Sequence, residues 1–516
     1  MSPCAGRRNQ TNATMRTAEW TGATGAMTIL EMTCARDVVA EPPHTHRRTR
    51  NPEGHAKTVP ALTLPSALSI LAQPMRTPNI ILISSSQHRW DCAGFAGNSD
   101  VRTPNMDALA RHGLVFSQAI CQAPLAGPSR ATILTGQYPS GHGVHVDGQG
   151  LPIDSDTLPS VLRAHGYATA AVGEFQFTPM YTNYGFERIR LAEGYRSGLG
   201  QDDYHRWLKS LGLEDWVDTW NRECLDSAPQ EYRDFFSALA SNLEPQHYSS
   251  TWIGNESVRY LQAAKPPFFL WVSFAKPAPP YAPPGTLDTM YRPSGLRLPM
   301  DFRLPVAREE LSESAAFDLS KMTRRAYGRI LANYYATITH LDAQIGRILA
   351  TLTGRGHSNN IVVYTADRGD YMGQHGLVSD RGAWPYDALI RVPLIISGVT
   401  GQRRGEVDES PVQLTDLLPT LLGSVHVPAP ETAQGRSLGA LLRGRGAALR
   451  DVATCVHFNG IRVARTPQYK MMALPLEEAV RFHDLKKDPG EHENIAGGRA
   501  TVRHQVALRN VLRKLR

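Results

Sequence analysis

Four runs of strand length, Ile80–Ser84, Ala168–Val172, Phe268–Val272 and Ile361–Thr365, are almost continuously apolar. A strand reads that way when both of its faces are covered, as in a sheet with helices on either side. The longest stretch of helical pattern, from about Met322 to Leu352, carries Leu331, Tyr334, Ile338, Leu341, Ile345, Ile348 and Leu352 at alternating spacings of three and four. That spacing draws one apolar stripe along a helix, and Gly354 and Gly356 are placed to stop it. Covered strands alternating with such helices restrict the chain to an α/β architecture, a large sheet flanked by helices.

The 516 residues are enough to bury a large core, and 41% hydrophobic with 20% charged residues is ordinary for a globular protein. A formal net charge of +7 suits an anionic small molecule. No DNA- or RNA-binding motif accompanies that charge, so no nucleic-acid partner is expected. No run of about 18 apolar residues occurs, so no membrane span is expected. The cysteines, Cys4, Cys34, Cys92, Cys121, Cys224 and Cys455, are scattered without a C-x-x-C pair, which argues against a disulfide framework or a zinc site.

Residues 1–74 contain Gly, Thr, Ala, Pro and Arg without sustained apolar periodicity. They are expected to be a disordered extension, or else the true translation start lies at or near Met75. Without a secretion signal the default location is the cytoplasm. Pro-rich segments at 277–284 and 427–430 interrupt regular structure. The second marks the expected boundary between a main domain over 75–425 and a small C-terminal unit over 426–516. Near the end, Leu508, Val511, Leu512 and Leu515 share one helical face opposite basic residues, a pattern expected to dock on its own domain rather than on a membrane surface.

One segment is more specific than any periodicity. Ala126-Gly127-Pro128-Ser129-Arg130-Ala131-Thr132-Ile133-Leu134-Thr135-Gly136 resembles C/S-x-P-S-R-x-x-x-L-T-G, the signature of type I sulfatases and their phosphonate-hydrolase relatives. Met75–Ile83 followed by Gln87, Arg89, Trp90 and Asp91, then Thr103–Ala110, Val362–Asp370 and Asp484–Asn494, are similar to further blocks of that family in the same order. The resemblance implies an alkaline-phosphatase-like α/β fold: a large mixed sheet flanked by helices, plus a small C-terminal α+β subdomain of short antiparallel strands with a packed helix. It also implies an active centre with four parts. Acidic oxygens hold a divalent ion, an oxidised Cys or Ser attacks, Lys and Arg neutralise developing charge, and histidines move protons.

The chain departs from that centre at most of its positions. Ala126 stands where the nucleophile belongs and has no heteroatom to oxidise or attack with. The first strand of the family ends in Asp-Asp or Asp-Gln, and Ser86-Gln87 stands there instead; Asp367 is kept, but the His or Asn after it is Arg368. One carboxylate and one amide are too few for Mg²⁺ or Ca²⁺, so no metal or other cofactor is expected. Arg368 either replaces the ion as a fixed charge or turns to solvent. The family's G-K-W-H block corresponds to Gly173-Glu174-Phe175-Gln176, its P-H-x-P-Y histidine to Ala278, and its G-K-G lysine to Asp380, with Arg381 one residue on. Only Arg130 and Asp367 match.

Two arrangements are open for these residues. Arg130, Glu174, Arg368 and Asp380 form a buried ion-pair cluster that closes the hole a metal would leave. Alternatively they make a new site, in which Glu174 or Asp380 is a general base and Arg130 holds an anion, with Ser86, Gln87, Gln176, Asp367 and Arg368 around the ligand. The first functional expectation is a sulfatase-like pseudoenzyme, acting by binding or in metal-independent chemistry on an anionic small molecule. The second is an authentic sulfuric, phosphoric or phosphonic ester hydrolase with Ser86 or Ser129 as a non-standard nucleophile. The third is a partner-binding subunit, as a homo-oligomer or beside an active paralogue, which a large exposed apolar patch would favour. His88 beside Ser84–Ser86 has no assignable triad partner, and Cys121, His142, His145 and His375 are read as packing residues.

Overall fold

The structure, a computed structural model, describes residues 77–193, 201–218, 228–298, 302, 310, 318–357, 359–380, 382–474 and 479–515. The readings for residues 1–74 and for Arg381 lie outside the described residues.

Fourteen strands are described. In chain order they are β1 (Asn79–Ser86), β2 (Gly113–Phe116), β3 (Ala119–Ile120), β4 (Ala168–Gly173), β5 (Arg188–Leu191), β6 (Phe268–Pro277), β7 (Asn360–Ala366), β8 (Leu394–Ser397), β9 (Glu406–Asp408), β10 (Val412–Gln413), β11 (Ala453–Val456), β12 (Arg462–Arg465), β13 (Tyr469–Ala473) and β14 (Val480–Asp484). Eight of them form one mixed sheet in the order β5-β4-β6-β1-β7-β8-β2-β9. From β5 to β7 all neighbours are parallel, and β8 runs antiparallel between β7 and β2. The four apolar runs of the sequence are β1, β4, β6 and β7, side by side at the centre, each extended by one or more residues.

Both faces of that centre are covered, which is why its strands carry no polar alternation. Ile80 and Leu82 of β1 point into one apolar cluster with Ile133 and Leu134 of helix α2 (Ala126–Thr135). Ile81 and Ile83 point into another, beside Met106 of α1 (Pro104–His112) and Trp252 and Ile253 of α3 (Ser249–Ala263). The long stripe is α4 (Arg324–Gly354), about 46 Å of helix at 1.5 Å per residue. It begins two residues later than the pattern suggests because the Thr323 hydroxyl accepts from the Ala326 amide and caps it at 3.1 Å. Leu331, Tyr334 and Ile338 enter the first cluster, whereas Leu341, Ile345, Ile348 and Leu352 enter the second.

Strands β11 to β14 form a separate antiparallel sheet. Leu508 and Leu512 of α5 (Val502–Lys514) pack on it against Met471 and Phe482, so the C-terminal stripe is docked. The segment after the second proline run still packs with the large core through Leu438, Leu441 and Leu442, and the antiparallel sheet begins only at Ala453. Among the described residues no helix is long and apolar enough to cross a membrane.

Candidate functional site

Parallel strands deliver their C-terminal ends to one edge of the sheet, and that edge gathers the sequence-predicted residues. Ser86 and Gln87 lie at the end of β1, Glu174 just after β4, and Asp367 and Arg368 just after β7. Helix α2 starts there with Ala126 at its first turn and brings Ser129 and Arg130. Such a helix start offers unpaired N–H groups to an anion. The Gly127 amide donates instead to the Asp147 carboxylate at 2.9 Å.

The charged residues form one continuous network. Arg130 Nη2 donates to Glu174 Oε2 at 2.6 Å and lies 3.1 Å from Asp367 Oδ2. Arg368 Nη1 donates to the same Asp367 Oδ2 at 3.0 Å and to Ser86 Oγ at 3.2 Å. Its Nε and Nη2 both donate to Asp380 Oδ2, at 3.1 and 3.0 Å. Arg368 does not turn to solvent: it is 6% exposed. Arg130, Glu174, Asp367 and Asp380 are buried with it. Burial disfavours the Arg368 cation, but Asp367 and Asp380 outweigh that effect and hold its pKa well above the usual arginine value.

The neutral candidates are tied into the same network. The Gln87 amide donates to Asp367 Oδ1 at 3.1 Å, in a left-handed backbone conformation with φ of 59°. The Ser86 hydroxyl donates to Asp367 Oδ2 at 3.2 Å, and the Ser129 hydroxyl donates to the Asp367 carbonyl at 2.6 Å. Gln176 is half-buried, and its amide donates to the carboxylate of Glu193 at 3.0 Å. Arg130 keeps Nε and Nη1 without a protein acceptor. The space beside it, lined by Gly127, Gln176 and Phe177 among others, measures about 20 Å³.

Glu193 has no counterpart in the sequence reading. Its carboxylate also accepts from the Phe175 amide at 3.0 Å. Burial, and then the nearby Glu174 charge, push its pKa up to about 8, against partial relief from these amides and Arg130. A carboxyl so placed keeps its proton at neutral pH, which limits the excess of negative charge around the two arginines. Nothing in the run Leu191-Ala192-Glu193 signals this role. The only available hint was an acid at the end of a strand-like run.

The donor set does not suit a divalent ion. Such an ion needs several hard oxygens, and the retained carboxylate oxygen Asp367 Oδ2 already faces two guanidinium groups and a hydroxyl. Among the described residues no group of three or more His, Cys, Asp or Glu side chains is placed to hold a metal.

Of the other polar readings, His145 is exposed rather than packed, and the rest are packing residues. His88 is buried between the Tyr364 hydroxyl and the Cys92 carbonyl, and burial lowers its pKa to about 4. His142 bonds Thr132 and accepts from the Val144 amide, and His375 stacks on Tyr386 with ring centroids 3.9 Å apart. The Cys121 thiol is buried beside Cys455 with its pKa pushed up by desolvation, the opposite of an activated thiolate.

A mixed sheet with helices on both faces and polar residues gathered at the C-terminal ends of its parallel strands is a layered α/β architecture, and its likeness to solved structures makes it the alkaline-phosphatase-like form of that architecture. Residues 78–427 match the family described as sulfatase, and residues 373–516 match the C-terminal region of N-sulphoglucosamine sulphohydrolase. An arylsulfatase from Clostridium perfringens is 32% identical, over 85% of this chain and 94% of that enzyme. An ulvan-active sulfatase from Formosa agariphila is 28% identical, over 81% of this chain and 77% of its own. The crystal structure of the phosphonate monoester hydrolase of Agrobacterium radiobacter superposes with a TM-score of 0.71 at 25% identity, covering 84% of this chain and 94% of that one. The chain belongs to the sulfatase family.

Proposed function

We propose that this sulfatase-family protein does not hydrolyse esters by an oxidised Cys or Ser nucleophile, and that it acts as a pseudoenzyme, a binding protein on a hydrolase fold. The observation that carries the reading is the sharing of Asp367 Oδ2 between Arg130 and Arg368, with Glu174 and Asp380 as the outer partners. The ancestral centre is thereby filled by the chain's own charges. Glu174 and Asp380, the general-base candidates, are each bonded to an arginine, and we assign them to neutralisation rather than proton transfer. A void of about 20 Å³ takes a single water, not a sulfate ester. We assign Arg130 and Arg368 to the same filler, in place of a resident metal.

The likeness to an arylsulfatase over 94% of that enzyme favours a second reading, a hydrolase with Ser86 or Ser129 as nucleophile. Both hydroxyls are spent on Asp367, which speaks against it. For the subunit reading, the large apolar side chains exposed among the described residues, such as Val146, Ile153, Leu211 and Trp216, are scattered along the chain, which gives that reading no support.

Assay of the purified protein with aryl sulfate, phosphate and phosphonate esters tests the proposal. No turnover above background is expected. A metal-dependent rate that survives repurification and disappears in Asp367→Ala would overturn it.

A further inference from the structure

A cavity of about 690 Å³ lies apart from the filled centre, with none of the residues of the ion-pair network in its lining. Its size falls in the ordinary range for pockets that hold small organic ligands, about 300–1,000 Å³. It is assembled from the loop after β1, the segment before β8 and the C-terminal segment, and its walls mix apolar side chains such as Leu331 and Met372 with several arginines and aspartates.

Those arginines differ in one respect. Arg89 is paired with Asp91, Arg297 with Asp100, and Arg465 with Asp387. Arg391 has no carboxylate within ion-pair distance among the described residues; Asp387 and Asp91 act on it only from farther away. Its Nε donates to the Ser117 carbonyl at 2.6 Å, and its guanidinium carbon lies 3.4 Å from the centre of the Trp90 ring. Stacking on an indole holds a guanidinium flat and leaves its Nη edge for a planar or tetrahedral oxyanion. A second group on the same wall, His492, has a buried Nδ1 without a partner. Exposed Lys487 adds a further cation to the lining.

We infer that this cavity is a binding site for a small organic oxyanion. A carboxylate, sulfate or phosphate head sits on the Arg391 Nη edge, and an apolar body lies against Leu331 and Met372. The electrostatics agree. Burial, and then the neighbouring Arg465, lower the Arg391 pKa to about 10, and an anionic ligand would relieve that strain on the cation.

Calorimetric titration of the full chain with phenyl phosphate, phenyl sulfate and inorganic sulfate tests the assignment. Saturable binding is expected, with both phenyl esters tighter than inorganic sulfate. Arg391→Gln should weaken the phenyl esters by about tenfold or more, the worth of a charge-assisted hydrogen-bonded fork. Arg391→Lys, which keeps the charge but not the fork, should fall between the two. Absence of saturable binding to the wild type, or undiminished binding in Arg391→Gln, overturns the inference. If binding persists in Arg391→Gln but is lost in Gln176→Ala, the ligand occupies the old centre, and both this inference and the reading of that centre as filled fail, whereas the pseudoenzyme reading is decided separately by turnover.

Discussion

The filled centre and the cavity lie at the same edge of one sheet, since Thr365 of β7 pairs with Leu394 of β8 and so brings Arg368 and Arg391 to that edge. Both are built on arginines, and they differ in where the carboxylates are. Arg130 and Arg368 share Asp367 and take Glu174 and Asp380 besides, with a protonated Glu193 behind them. Arg391 receives a carbonyl and an indole face. A buried arginine given a carboxylate becomes packing material. One left without a carboxylate keeps its capacity to recognise an anion.

The sharpest way to break this contrast is Arg368→Ala. It would strip Asp380 of Arg368 and leave Asp367 with Arg130 alone, and should destabilise the fold by about 3–5 kcal/mol in urea unfolding. A loss below about 1 kcal/mol, the worth of an exposed pair, would mean that the centre is not closed by its ion pairs.

A smaller effect is expected from pH. The folded Glu193 pKa of about 8 exceeds the ordinary 4.5, so the stability linked to its proton is complete below the lower value and is lost as pH rises through the higher one. The melting temperature should fall across that window, and Glu193→Gln, neutral at every pH, should flatten the fall. An equal fall in the variant would assign it to another group.

The smallest expected effect belongs to chelation. A resident ion at a hundredfold excess over its Kd contributes roughly 2.7 kcal/mol to stability. A chelator should leave the melting temperature unchanged. A clear drop would show that the centre holds a cation after all.

The stripe from Leu331 to Leu352 and the four covered strands were legible because burial marks the residues themselves, with a spacing of three and four on the helix and unbroken apolarity on the strands. The filled centre was legible as a set of positions, since each partner sits in its own recognisable block. Whether Arg368 turned inward was not, because a side-chain direction depends on Ser86, Asp367 and Asp380 meeting at once. Glu193 was missed because its role exists only where the end of β5 meets the Phe175 and Gln176 amides. Arg391 was missed for a similar reason. Trp90, Ser117 and His492 lie far from it in the chain, and Ile390 and Val392 beside it read as ordinary core.

One hydroxyl stands between the two regions. Tyr334, about a third of the way along α4, donates to the Gln87 carbonyl at 2.7 Å and accepts from the Arg89 amide at 2.9 Å. Gln87 belongs to the filled centre and Arg89 lines the cavity, so a three-residue partition, pinned at both ends by a single side chain, is common to both. A single hydroxyl therefore sets the spacing between the Gln87 carbonyl, beside the ion-pair network, and the Arg89 amide, beside the cavity, and Tyr334→Phe would release both ends of the partition at once.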